Sequence, residues 1–167
     1  MKRLRNIIKE VINEILDTPE VPKDIEIVNG SNSFYYKFKT QAKEYCVSFK
    51  KYDKFNKELG LTKDERVNNI IINSNSVFYL SWGLFDEKNQ SMPIDDVKTG
   101  AREEVYVFNS VFGIIKEFLE KNNPDAIFYD AIEKRKGIYD KMFNKMNLNY
   151  IKLHGVKNTF LIKKDLL

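Results

Sequence analysis

Apolar positions first fall at helical spacing and then give way to aromatic and β-branched runs. In residues 2–17, Leu4, Ile7, Ile8, Val11, Ile12, Ile15 and Leu16 recur every three or four positions, which predicts a helix with one apolar stripe. Pro19 and Pro22 end it. "DIEIV" and "SFYYKFKT" follow, then "KEYCVSFKKY" after a short polar turn. Tyr, Phe and Val suit a pleated, half-buried surface, so these runs predict a meander of strands. The charged stretch 54–69 reads as a loop with one helical turn at most. "SVFYLSWGLF", residues 76–85, is a further strand and carries the sole tryptophan, Trp82. Residues 86–103, with Pro93 and Gly100, read as a long loop with a short extended piece near Val97.

Helical spacing returns over 104–122, where Phe108, Val111, Phe112, Ile115, Phe118 and Leu119 share a face, and "NNPD" stops it. "AIFYDA" is a short apolar run bounded by turn signals, the pattern of a buried strand. "KRKGIYDKMFNKMN" is the next helix, with Ile138, Met142 and Met146 inward. "YIKLHG" and "NTFLIKK" predict a closing hairpin at Gly155. Meander strands followed by a strand–helix–strand unit predict an α+β fold: one mixed, mostly antiparallel sheet flanked by helices, in a single domain over 1–167.

Composition adds limits. At 167 residues with 43% hydrophobic and 13% aromatic content, the chain can bury a core without staples. The net charge of +4 is spread among interspersed Lys, Glu and Asp, as on an ordinary solvated surface. Cys46 is the only cysteine, which rules out an internal disulfide, and it reads as a small core residue of a strand. With His154 as the only histidine, neither a Cys–His nucleophile nor a structural zinc site is expected. No signal peptide or membrane span is read, so a soluble protein of a reducing cytoplasm is expected.

The second half carries a resemblance. "VFNSVFGIIKEFLEKNNPDAIFYDA" followed by "KGIYDKMFNKMNLNYIKL" resembles the helix, strand, helix and final strands of GNAT acetyltransferases over about 70 residues. Most of the chain is similar to a group of small, mostly uncharacterised bacteriophage proteins. These share "TG…VF.SV..IIKEFLEKN.PD.I.F.A…R..IYDK", and "INEILDTP" near the start also fits. The resemblance implies a GNAT-like fold and a phage setting. It also implies that Tyr139 stands where the GNAT helix tyrosine protonates the leaving coenzyme A thiolate. The other reading of Tyr139 is a residue near the core edge with its hydroxyl in solvent.

Two departures stand against chemistry. In active GNAT enzymes the helix ends soon after this tyrosine with Gly-Phe, whereas here it runs on through Phe143, Asn144, Lys145 and Met146. GNAT enzymes grip pyrophosphate with an Arg/Gln-x-x-Gly-x-Gly/Ala loop, using backbone N–H groups and a helix N-terminus. The corresponding "VKTGAREEVYVF" offers Gly100, Ala101 and Arg102, then Glu103 and Glu104, whose charge suits a helix start but repels a pyrophosphate. Gly113 comes too late to form that loop. Tyr129 and Asp130 end the "AIFYD" strand, and Asp130 equally suits a turn cap. Asp95 and Asp96 are adjacent and do not converge as a metal pair. P-loop, Rossmann, His-Glu-x-x-His and Gly-x-Ser-x-Gly motifs are absent.

The first expectation is therefore a non-catalytic protein on a GNAT-like scaffold that uses no cofactor. It binds another protein, a virion component or a host factor, in the cytoplasm of the infected bacterium or packaged in the virion. The alternative is an acetyl-CoA-dependent N-acyltransferase with a divergent phosphate loop. A second alternative is a weak nucleic-acid binder that stacks bases on "KKYDKFNK".

Overall fold

The computed structural model describes residues 19–41, 43–52, 62–85, 101–130, 133–155 and 158–167, with backbone alone at 101–102 and 133–136. The predicted N-terminal helix, residues 54–61 of the 54–69 stretch and residues 86–100 of the predicted 86–103 loop lie outside these residues. The seven strands are β1 (Glu26–Asn29), β2 (Ser33–Lys39), β3 (Glu44–Lys51), β4 (Val77–Leu84), β5 (Ala126–Tyr129), β6 (Tyr150–His154) and β7 (Thr159–Lys163). They form one sheet in the order β1-β2-β3-β4-β5-β7-β6. Every neighbouring pair is antiparallel except β4–β5. The predicted α+β class, mixed and mostly antiparallel sheet, meander and closing hairpin are all present.

Among the described residues, three α-helices accompany the sheet: α1 (Glu65–Asn73), α2 (Ala101–Asn122) and α3 (Glu133–Met146). α1 corrects the expectation of a loop with one turn. Asp64 caps it by accepting from the Arg66 N–H at 2.9 Å, Glu65 sits in its first turn, and Val67 and Ile71 are buried one turn apart. α2 begins earlier than the periodicity suggested, at Ala101. Asn123 and Asn147, just past the ends of α2 and α3, have φ of 44° and 45°. Asparagine tolerates this left-handed geometry, which stops both helices.

The β4-α2-β5 and β5-α3-β6 crossovers step the same way along the sheet. Right-handed crossovers in one direction put both helices on one face. α2 and α3 do meet there, with Phe112 packed on Tyr139 and Phe143 at ring separations of 5.3 and 5.6 Å. β5 divides the core by alternation. Ile127 and Tyr129 join the larger cluster under α2 and α3, while Ala126 and Phe128 join a smaller one with Val67 and Ile71 of α1. A strand covered on both faces is uniformly apolar, as "AIFY" is.

Cys46 is 1% exposed in β3, on the sheet face away from α2, as a small strand residue should be. Burial is the main cause that pushes its thiol up to about 11. Gly113, in the middle of α2, has a packing reason. A Cβ there would lie 2.4 Å from the backbone carbon of Glu20 and 2.8 Å from the amide nitrogen of Val21. The segment ahead of β1 therefore crosses α2 as a strap that only a glycine admits.

Candidate functional site

β4 and β5 stay together only for the register Val77↔Ala126, Phe78↔Ile127 and Tyr79↔Phe128. β4 then runs on through Leu80–Leu84, while β5 ends at Tyr129. The central strands thus part at the end of the sheet where α2 begins. The hydroxyl of Thr40, just past β2, marks that end by donating to the Glu103 carboxylate at 2.7 Å.

Aromatic side chains fill the parting. Trp82 alternates with Leu80 and Leu84, so it points to the α2 face, where it meets Phe108 edge-on at 5.5 Å. Tyr139 comes from α3 and is 5% exposed. Its ring stacks on Tyr129 at 4.8 Å and lies 6.1 Å from Phe143. The indole N–H of Trp82 donates to the Tyr139 hydroxyl oxygen, which ties β4 to α3 across the parted strands. Burial, then the neighbouring Tyr139 and the Asp140 carboxylate, push the Tyr129 phenol up. Tyr139 therefore belongs to the larger core cluster rather than to the core edge. It is walled by aromatic rings and engaged by Trp82. A general acid must come within hydrogen-bond reach of the atom it protonates. Phe112, Tyr129 and Phe143 pack around the Tyr139 ring.

Of the sequence-selected phosphate-loop residues, the structure describes only backbone. Gly100 lies outside the described residues, and Ala101 and Arg102 form the start of α2. Glu103 and Glu104 stand in the first turn, the position from which carboxylates oppose a bound pyrophosphate. Asp130 is exposed and accepts from the Tyr79 hydroxyl at 3.0 Å. Burial, then Asp130, push that phenol up to about 12. Asp140, next to Tyr139, instead pairs with Lys152 of β6 at 2.5 Å. α3 continues to Met146, as the sequence predicted.

Among the described residues no group of three His, Cys, Asp or Glu side chains is placed to hold a metal ion. No described helix is long and apolar enough to cross a membrane. Of "KKYDKFNK", Tyr52 packs edge-on against Phe128 at 4.7 Å, so its ring belongs to the smaller core cluster, and Asp53–Lys57 lie outside the described residues. What sequence reading missed is Trp82 as the partner of Tyr139. Its alternation with Leu80 and Leu84 is the signal that would have turned it toward α3.

No family model, no curated protein and no solved structure matches this chain.

Proposed function

We propose that the chain is a GNAT-like scaffold that has lost the acyl-transfer chemistry and works by binding another protein. That protein is a phage virion component or a host factor, met in the infected cytoplasm or in the virion. The strand order supports the scaffold: a meander, one parallel central pair that parts, two crossovers on one face and a closing hairpin. The observation that carries the loss of chemistry is the aromatic filling of the parting, with the Tyr139 hydroxyl held by Trp82 and 5% of the residue exposed. The rings packed at the parting weigh against an acyl thioester lying between β4 and β5. Calorimetric titration of acetyl-CoA into the folded protein is expected to give no binding heat. Micromolar binding that Arg102→Glu abolishes would overturn the proposal.

One observation favours the alternative, an acetyl-CoA-dependent N-acyltransferase. The strands do part, and a helix tyrosine does stand at the parting. Were acetyl-CoA to bind, acyl transfer by Tyr139→Phe would separate a general acid from a packing residue, because only the former loses rate with binding intact.

A further inference from the structure

Neighbouring strands part a second time at the same end of the sheet. β1 pairs with β2 only as far as Glu26 opposite Lys37, while β2 runs on to Lys39. The chain ahead of β1 swings away and crosses α2 over Gly113. The open cavity left there, about 770 Å³, is lined by acidic and basic residues together, among them Glu20, Asp24, Lys23 and Lys39, a balance that selects no ligand. The other side of β1 is an edge of the sheet, and among the described residues no strand pairs with it.

Every residue of β1 is exposed. Ile27 shares a face of the sheet with Tyr36, and Val28 shares the opposite face with Tyr35. They are 43% and 42% exposed. A helix or loop laid on one face would cover one of them, whereas a strand added at the edge flanks both. The backbone is aimed accordingly. The Gly30 N–H donates to the Ser33 carbonyl at 2.7 Å, in register with the β1–β2 ladder. Residues along an antiparallel strand turn their N–H and C=O groups alternately toward and away from a neighbour. Gly30, Val28 and Glu26 therefore turn to β2, while Asn29, Ile27 and Ile25 turn outward. The other edge of the sheet, β6, carries Lys152 at its centre, and lysine is a residue that discourages edge pairing. β1 has neither lysine nor proline.

We propose that this edge pairs antiparallel with β1 of a second copy of the chain, Ile27 opposite Ile27, so that two sheets join as one. A two-fold axis normal to the sheet makes the contact self-complementary, and the outward-turned Ile25, Ile27 and Asn29 supply its hydrogen bonds. Charge chooses the register. Centred on Ile27, the pairing sets Ile25 against Asn29, Glu26 against Val28 and Asp24 against Gly30, with no like charges opposed. Centred on Ile25, it would set Glu26 against Asp24. Centred on Asn29, it would run into the bend at Ser31 and Asn32. In the chosen register the two Ile27 side chains cover each other. So short a strand buries less than the ~1,200 Å² of a standard interface, so the dimer is weak, with a dissociation constant of about 10⁻⁴ M. The pairing does not depend on the partner-binding function proposed above.

The test is sedimentation of the full chain from about 10 μM to about 1 mM, a range that brackets that constant. The mean mass should climb toward that of a dimer. Ile27→Lys and Ile27→Glu, both at an exposed position, should each weaken association at least about tenfold, because each sets like charges face to face. An equal mixture of the two variants should associate again, since residue 27 of one copy meets residue 27 of the other. Hydrogen exchange of the unaltered chain needs no variant: the Ile27 and Asn29 amides should slow as concentration rises. A chain that stays monomeric throughout, or association that neither variant weakens, would overturn the proposal. So would a mixture that fails to associate, or exchange at Ile27 that ignores concentration.

Discussion

The sheet opens twice at one end, and the two openings are finished in opposite ways. Where β4 leaves β5, Trp82, Phe108, Phe112, Tyr129, Tyr139 and Phe143 fill the space, and the Trp82 N–H donates to the Tyr139 hydroxyl oxygen across it. Where β1 leaves β2, the space stays open, is lined by acidic and basic residues together, and has Tyr106 44% exposed beside it. The first arrangement is that of a core, in which each ring is satisfied by its neighbours. The second is that of a surface, open to water and mixed in charge.

Three substitutions sharpen that contrast. Phe112→Ala should have the largest effect. The residue is 0% exposed and touches both Tyr139 and Phe143, so chemical denaturation should report a loss of ~3–5 kcal/mol. A loss below that of an ordinary surface change would mean that the rings are loosely held and the opening can be emptied. Gly113→Ala comes next. Alanine favours a helix over glycine by about 1 kcal/mol, but a Cβ 2.4 Å from the backbone of Glu20 forces the strap off α2. A net loss of ~1–3 kcal/mol in melting or denaturation is expected. Stabilisation by this change would show that the strap does not lie on the helix in solution. Tyr139→Phe should be the smallest, about 1 kcal/mol in the same assay, because it removes one hydrogen-bond acceptor and leaves the ring packing. A loss of several kcal/mol would mean that the Trp82 contact locks the opening rather than trims it.

Much of the fold was legible because its signals are local. The strands "SFYYKFK", "EYCVSFKK" and "VFYLSWGL" declare themselves by residue type, and α2 by its apolar spacing. α1 was hidden because its stretch is charged and asparagine-rich. Only Asp64 as a cap and the Val67–Ile71 pair announce it, and its helical state depends on covering Val77, Phe128 and Phe160. The site was less legible for a physical reason. Trp82 and Tyr139 meet only because two crossovers bring α3 back over β4, a contact that no local pattern encodes. The open cavity left a single trace, a glycine inside a helical pattern, which calls for a packing reason. That reason becomes visible only when the distant strap is seen lying on it.

The strap over Gly113 also sets a timetable. Glu20 and Val21 belong to the early part of the chain, while the helix surface they cross belongs to its later half. During synthesis the early segment emerges with nothing to lie on, because the residues of α2 follow it from the ribosome. The meander of β2, β3 and β4 can pair from local contacts first, and the strap must wait for a long loop to close. The open cavity is consequently the last-assembled part of this end of the molecule, and a chain stalled before α2 would carry its carboxylates but not its shape.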